Sequence, residues 1–150
     1  MSNAGEQLDI LLVEDNPNDA ELAIRAMQMS GHTPVLVHVD DGVRALEFLF
    51  GTGEFAGRDT AIQPRVVLLD LKLPRVDGLE VLKRMRADER TRAVPVVVLS
   101  SSKEERDVLE CYRHAVNSYV LKPVNFDAYS RSVAEVCRYW MEINLSPAQR

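Results

Sequence analysis

The ten residues "ILLVEDNPND" (Ile10–Asp19) decide how the rest of the chain is interpreted. Four apolar residues run directly into the acid pair Glu14 and Asp15, and a turn-prone Asn-Pro-Asn segment follows. A short, continuous apolar run is typical of a strand that is buried on both faces. Two adjacent carboxylates at the end of such a strand repel each other, so their position needs a physical reason.

Four more apolar runs follow, and each alternates with a segment of helical periodicity. The five runs read "LDILLVE", "PVLVHVD", "RVVLLD", "VPVVVLS" and "SYVLKP". The second alternates with polar residues and the fifth is short, so we expect these two at the edges of a sheet. Apolar residues at helical spacing mark the intervening segments: Ala20, Ala23, Ile24 and Met27; Val43, Leu46 and Phe50; Leu79, Leu82 and Met85; Val108, Cys111, Tyr112 and Ala115; Val133, Val136, Cys137 and Trp140. The pattern predicts an α/β fold with a doubly wound, five-stranded parallel sheet and five helices.

Composition indicates one ordinary globular domain. The chain has 150 residues, of which 46% are hydrophobic and 27% charged. Its net charge of −5 argues against a nucleic-acid partner, which normally meets a basic surface. No apolar run reaches the roughly 18 residues of a membrane span. Two cysteines are too few for a disulfide scaffold, so we expect reduced thiols and a cytoplasmic protein.

The predicted domain covers residues 8–144. Residues 1–7 are expected to be a disordered start, where "SNA" resembles a tag-cleavage scar, and residues 145–150 a short tail. A 14-residue connection, Gly51–Pro64, exceeds the usual length of about 2–6 residues, and the sequence gives it no role. The space after the fifth strand holds one helix, so no separate output domain is expected.

Polar residues end four of the five predicted strands. In an open parallel sheet, ligands bind beyond the carboxyl ends of the strands where the strand order reverses. With the order 2-1-3-4-5, this crevice would receive the following residues: Glu14, Asp15, Asp70, Ser100 and Lys122. The residue before Pro123 is pushed towards extended geometry, which would aim Lys122 at the crevice.

Three carboxylates this close are chemically reasonable only around a cation. Hard oxygen ligands favour Mg²⁺, with Mn²⁺ as the alternative, over zinc. A divalent ion beside a lysine and a hydroxyl is suited to phosphoryl transfer. Asp70 is then the natural nucleophile, and it would form an aspartyl phosphate.

The chain resembles the receiver domains of two-component response regulators from about Leu8 to Met141. The matching pieces are "LLVEDNPND", "LLDLKLPRVDG", "VVVLSSS" and "YVLKP", in the family's order and spacing. The resemblance implies a flavodoxin-like fold with Glu14 and Asp15 as metal ligands and Asp70 as phosphoacceptor and ligand.

The same resemblance assigns the remaining site residues. It implies that the backbone carbonyl of Lys72 is a metal ligand and that Ser100 is the switch hydroxyl. It makes Tyr119 the switch aromatic and Lys122 the phosphate-binding ammonium, with a cis peptide bond before Pro123. More narrowly, the Gly51–Pro64 connection and "PVVVLSSSKEERDVL" resemble the stand-alone receivers that partner bacterial phytochromes.

Other interpretations of these residues are structural. Glu14 and Asp15 could complement a helix dipole, and Asp41, in a second acid pair with Asp40, is expected to cap a helix. Asp77 is expected in a turn or cap before the third helix. Tyr119 could serve the core as well as a switch, and Tyr139 and Trp140 could pack in a last turn or form an interface.

Three functions compete. The first is a signalling module, not an enzyme with a separate substrate, that a sensor histidine kinase phosphorylates on Asp70 and that dephosphorylates slowly. The second is a phosphatase or phosphotransferase of the dehalogenase type, which carries a second acid two residues after its nucleophile, where this chain has Lys72. The third is a pseudo-receiver that binds partners without phosphorylation, against which the complete residue set argues.

The output surface is expected on the fourth helix, fifth strand and fifth helix. Ser100 leads into this face, and Tyr119 and Lys122 lie within it. Aromatic and flexible apolar residues that suit an interface are Tyr139, Trp140 and Met141. We therefore predict a homodimer, or a contact with the kinase or a target, through this face.

Overall fold

The computed structural model describes residues 8–29, 31 and 33–147. The predicted disordered start at residues 1–7 and the last three residues of the tail lie outside this range. The strands are β1 (Ile10–Val13), β2 (Leu36–Val39), β3 (Val66–Leu69), β4 (Val96–Ser100) and β5 (Ser118–Leu121). The helices are α1 (Pro17–Met29), α2 (Gly42–Phe50), α3 (Gly78–Ala87), α4 (Glu105–Arg113) and α5 (Phe126–Arg138).

The strands form one parallel sheet in the order β2-β1-β3-β4-β5, which confirms the predicted fold. β1 lies between β2 and β3, so its residue Ile10 is in register with Leu36 on one side and Val66 on the other. The continuous apolar runs of β1, β3 and β4 are buried throughout. β2 and β5, the two predicted edge strands, are at the edges and are only partly buried.

Successive residues of a strand point to opposite faces of the sheet, so the continuous apolar strands place apolar side chains on both faces. Helices cover both of these faces. On one face Leu11, Val13 and Leu69 pack with residues of α2, α3 and α4. On the other face Ile10 and Leu12 pack with residues of α1 and α5. Burial on both sides leaves the strand ends as the place where polar side chains can gather.

The long connection between α2 and β3 is an ordered segment built around Arg58. α2 ends at Phe50, and its C-cap residue Gly51 has a φ of 65°, which suits a residue without a Cβ atom. A 3₁₀ turn follows at Gly53–Phe55. The Arg58 guanidinium lies 4.1 Å from the Phe48 ring centroid and donates to the carbonyl oxygens of Phe48 at 2.5 Å and Ile62 at 2.6 Å. One arginine therefore satisfies backbone groups at the end of α2 and in the connection.

α5 continues beyond Arg138 as a π-helical turn, Tyr139–Ile143. A buried ion pair near the start of the sheet holds this turn. Arg65 bonds Asp9 at 3.2 Å and donates to the carbonyl oxygen of Met141 at 2.7 Å. The C-terminal turn is thereby tied to the start of β3.

Candidate functional site

The acid pair at the end of β1 divides between core and solvent. Glu14 is only 2% exposed, whereas Asp15 is exposed. The backbone N–H of Asn16 donates to Glu14 Oε2 at 3.1 Å, and the Asn16 side chain accepts from the N–H groups of Asn18 and Asp19. Asn16 thus caps α1, with Pro17 at the first helical position, where a missing N–H costs nothing. The capped turn fixes where Glu14 and Asp15 leave the strand.

Asp70 follows β3 and faces the acid pair, as the sequence predicts. Its backbone N–H donates to the Val13 carbonyl oxygen at 3.1 Å, which continues the β1–β3 pairing. Its Oδ1 accepts from the backbone N–H of Lys72 at 3.3 Å, while the Lys72 side chain is exposed. One carboxylate oxygen from each of Glu14, Asp15 and Asp70 lies within 4.8 Å of the others.

The loop after Asp70 is held close by two glycines. A Cβ atom on Gly78 would lie 2.1 Å from the Asp70 carbonyl oxygen, and one on Gly42 would lie 1.8 Å from that of Val76. Real Cβ atoms do not approach backbone this closely, so both positions require glycine. The close approach keeps Asp70 at the mouth of the crevice.

Lys122 enters the same crevice from the end of β5. Its Nζ lies 2.6 Å from Glu14 Oε1, 3.2 Å from Asp70 Oδ2 and 3.1 Å from Asp19 Oδ2. Its side chain is 11% exposed. The predicted cis bond before Pro123 is wrong for this structure, since no peptide bond among the described residues is cis. Lys122 reaches the carboxylates from a trans bond, the isomer that X–Pro favours by about 0.5–1 kcal/mol.

The pKa values of Glu14 and Lys122 both lie above their ordinary values, but for different reasons. Burial raises the pKa of Glu14 from 4.5 to about 7, and the Asp70 charge adds to this against the opposing bond from Lys122. Burial acts against the charge of Lys122, but the bond to Glu14 and the charge of Asp70 outweigh it, so the Lys122 pKa lies above its ordinary value. The crevice holds more negative charge than its one ammonium neutralises.

The donor set fits a hard divalent cation. The cluster consists of carboxylates alone, which suits Mg²⁺ or Mn²⁺ and not the nitrogen and sulfur preference of zinc. The raised pKa of Glu14 reports a buried carboxylate that a cation would stabilise. A cation bound at this cluster would offset the repulsion between the two carboxylates at the end of β1.

Ser100 and Tyr119 are connected through one residue. Ser100, 1% exposed at the end of β4, accepts from the backbone N–H of Ser102 at 3.1 Å. The Tyr119 hydroxyl donates to the carbonyl oxygen of Ser102 at 2.8 Å, and its ring is partly buried against the core. Ser102 also donates to Asp107 at 2.6 Å. A movement of Ser100 would therefore be transmitted to the Tyr119 contact through Ser102.

Two of the alternative acids, Asp41 and Asp77, cap helices, as predicted. Asp41 accepts from the N–H of Arg44 at 2.7 Å and caps α2. Asp77 accepts from the N–H of Glu80 at 3.0 Å and caps α3. Asp40 bonds the Arg44 side chain at 2.9 Å. None of the three belongs to the carboxylate cluster found among the described residues.

Two residues near the site were missed by sequence reasoning. Asp19 bonds Lys122, and its place in the first turn of α1, four residues after Asp15, is the only signal the sequence offers. Tyr129, on α5, is 4% exposed, and its hydroxyl has no hydrogen-bond partner within the described residues. Burial raises the Tyr129 pKa, and the charges that act on it include those of Lys122 and Glu14.

The three predicted interface residues differ in exposure. Tyr139 is 42% exposed and meets the Trp140 ring edge-on, with 5.0 Å between the ring centroids. Trp140 and Met141 are partly buried and pack against the core between the sheet and α1/α5. The π-helical turn and the segment after it also expose Ile143 and Leu145.

A search for membrane-spanning helices among the described residues found no candidate, since none combines the required length with the required apolar character.

Comparison with known proteins identifies the family of the chain. The profile of the response regulator receiver domain matches residues 10–134. The "Probable methanogenesis regulatory protein FilR2" of Methanothrix harundinacea is 46% identical over 138 residues, 92% of this chain and 86% of FilR2.

Two solved structures have the same fold, each with a TM-score of 0.87, 35% identity and coverage of 94% of this chain and 99% of theirs. One is the phosphorylated cyanobacterial phytochrome response regulator RcpA. The other is the Mn²⁺-bound form of the response regulator Rcp1. A protein named response regulator Rcp1 occurs in Synechocystis. The chain belongs to the response regulator receiver domain family.

Proposed function

We propose that Asp70 accepts a phosphoryl group from the phosphohistidine of a sensor histidine kinase in a Mg²⁺-dependent reaction. The observation that supports this assignment is the convergence of Glu14, Asp15 and Asp70 within 4.8 Å beside the Lys122 ammonium. Mg²⁺ would be held by these three carboxylates and the backbone carbonyl of Lys72, with Mn²⁺ as a substitute. When bound, the ion supplies positive charge to the oxygens of the transferred group.

The chain's own residues position and neutralise the reacting groups. A carboxylate oxygen of Asp70 attacks phosphorus in line with the P–N bond of the phosphohistidine, and that bond breaks as the new P–O bond forms. Lys122, already 3.2 Å from Asp70, faces the added negative charge. The imidazole leaves with the electron pair of the P–N bond.

The phosphorylated state would be reported by Ser100 and Tyr119. Ser100 is drawn towards the phosphoryl oxygens, and the Ser102 backbone that bonds both Ser100 and Tyr119 moves with it. The Tyr119 ring then follows, in a two-state change of packing. Slow dephosphorylation, with the exposed Lys72 side chain at the mouth of the site, returns the protein to its first state.

The output is proposed to be a protein surface on α4, β5 and α5, used for homodimerisation or for a kinase or target contact. Leu109 and Tyr112 on α4 and Leu121 on β5 are all at least 40% exposed. Tyr139 extends the surface, while Trp140 and Met141 support it from the core side. The net charge of −5 supports a protein partner and not a nucleic acid.

The kinase is proposed to be a phytochrome, working with this protein in the cytoplasm. The similarity to RcpA, which is named as a phytochrome response regulator, supports this partner. FilR2, at 46% identity, carries a name from methanogenesis and supports a kinase of another input. Phosphotransfer from a purified bacterial phytochrome, compared in red and far-red light, would separate the two: transfer independent of light would count against the phytochrome.

Phosphorylation is tested with acetyl phosphate and Mg²⁺. We expect the wild-type protein to form an acid-stable, base-labile adduct, and Asp70→Asn to lose it. Asp77→Asn is the matched control, because Asp77 lies in the same loop but caps α3 outside the cluster. Wild-type labelling of Asp70→Asn would exclude Asp70 as the acceptor.

Dimerisation is tested by sedimentation with and without beryllofluoride. Tyr139→Ala is preferable to Trp140→Ala, since Trp140 also packs against the core. We expect beryllofluoride to strengthen self-association of the wild type and Tyr139→Ala to weaken it. If neither changes self-association or kinase binding, the output surface lies elsewhere.

A further inference from the structure

The Lys122 ammonium has as many carboxylate partners as it has protons. Its three N–H groups face Glu14 at 2.6 Å, Asp19 at 3.1 Å and Asp70 at 3.2 Å. Glu14 and Asp70 also belong to the carboxylate cluster that suits a divalent cation, whereas Asp19 does not. A divalent cation in the cluster would therefore use two of the carboxylates that bond Lys122, those of Glu14 and Asp70. Its third carboxylate would be Asp15, whereas the third partner of Lys122 is Asp19.

Binding of a divalent cation brings a second positive charge next to Lys122. Two cations on the same carboxylates repel each other, and the low-dielectric surroundings of Glu14, 2% exposed, strengthen that repulsion. The Lys122 side chain, 11% exposed, has little access to water as an alternative partner. Asp19 is the carboxylate bonded to Lys122 that remains available to it.

Asp19 is well placed for this role. Its backbone N–H donates to the Asn16 side chain at 3.1 Å, so it stands in the capped first turn of α1. Its side chain is 31% exposed, which makes its negative charge less costly to hold than that of Glu14. We propose that Asp19 is a positioning residue that holds the Lys122 ammonium in the crevice when a divalent cation occupies the Glu14–Asp15–Asp70 cluster. The proposal deepens the proposed function and rests on its metal site.

The role predicts that Asp19 assists cation binding through Lys122. Without Asp19, Lys122 stays on Glu14 and Asp70 and competes with the ion. Asp19→Asn would also weaken cation binding simply by removing a nearby negative charge. A double-mutant cycle with Lys122→Met separates the two effects, because the simple charge effect persists when the ammonium is absent.

The experiment measures Mn²⁺ affinity by calorimetry for the wild type, Asp19→Asn, Lys122→Met and the double variant. We expect Asp19→Asn to weaken Mn²⁺ binding about 5-fold when Lys122 is present and less than about 2-fold when Lys122 is replaced by methionine. Glu21→Gln, which removes an exposed α1 charge paired with Arg25, is the matched control and should have little effect. An equal loss in both backgrounds would overturn the proposal.

A second measurement covers the case in which Lys122→Met does not fold. In a crystal structure of the Mn²⁺-loaded wild type, Lys122 Nζ should remain bonded to Asp19 and lose its bond to Glu14. Retention of the Glu14 bond with loss of the Asp19 bond would overturn the proposal. Failure of Asp70→Asn to abolish labelling would instead refute the phosphoacceptor assignment and leave the coupling between Asp19 and Lys122 standing.

Discussion

Replacing Glu14 with glutamine should stabilise the metal-free protein while weakening cation binding at the proposed metal site. Glu14 is 2% exposed, and burial raises its pKa from 4.5 to about 7. The folded chain therefore holds the Glu14 proton more tightly than the unfolded chain does. Stability from this residue is fully present below about pH 4.5 and falls as the pH rises through about 7.

The size of the effect follows from the pKa. A carboxyl whose pKa is raised from 4.5 to about 7 costs the folded protein about 3 kcal/mol once it is ionised. Glutamine resembles the protonated acid and still offers an oxygen to Lys122, so it avoids most of this cost. For a chain of this size, about 3 kcal/mol corresponds to a rise of about 6–12 °C in the melting temperature.

Urea unfolding at pH 5 and pH 8, in EDTA and in Mg²⁺, would measure the effect. At pH 8 in EDTA, we expect the free energy of unfolding of Glu14→Gln to be higher than that of the wild type. At pH 5, we expect this difference to be much smaller. Added Mg²⁺ should stabilise the wild type more than the variant, because a ligand stabilises the state that binds it. A variant that is less stable than the wild type at pH 8 in EDTA, or a difference equal at both pH values, would refute the reasoning.

Three further substitutions or reactions test other parts of the structure. Lys72→Ala should change the half-life of the phosphorylated protein more than its Mn²⁺ affinity, because only the backbone of this exposed residue is expected at the metal. An unchanged half-life would show that the Lys72 side chain takes no part in dephosphorylation. Gly78→Ala should lower the free energy of unfolding by about 1–3 kcal/mol in urea, since its Cβ would lie 2.1 Å from the Asp70 carbonyl oxygen; unchanged stability would mean that the loop yields freely. In a Cys137→Ser background, Cys111 should resist a thiol reagent at pH 8 until urea is added, because burial raises the pKa of its thiol to about 11; rapid reaction in buffer would contradict this burial.

The fold was predictable because each strand carries its own local signal. The continuous apolar run of β1 identified a central strand, and the alternation in β2 identified an edge. Residues that end parallel strands must meet at one edge of the sheet, so Glu14, Asp70 and Lys122 could be brought together without coordinates. The convergence of these three residues depends on strand direction, which the alternation with helices predicts, and on the order 2-1-3-4-5, of which the pattern predicts the two edge strands.

Contacts that depend on side-chain reach were not predictable in this way. The bond between Asp19 and Lys122 joins residues 103 positions apart, and it requires the first turn of α1 to point at the end of β5. The packing of Arg58 against α2 depends on the path of a connection with no periodic pattern. Trp140 could be assigned to core or surface only after the π-helical turn fixed its direction.

The two acids of the opening segment differ in what they contribute. Asp15 is exposed, so the protein holds its charge at little cost. Glu14 is buried, and a divalent cation at the proposed site would recover the free energy that its ionisation costs the metal-free protein. If the cluster holds a cation as proposed, a strand end that places one carboxylate in the core and the next in solvent would gain cation affinity at the expense of the stability of the metal-free protein. The two adjacent carboxylates lie in different surroundings because successive residues at the end of a strand point in opposite directions, so Glu14 enters the core and Asp15 the solvent.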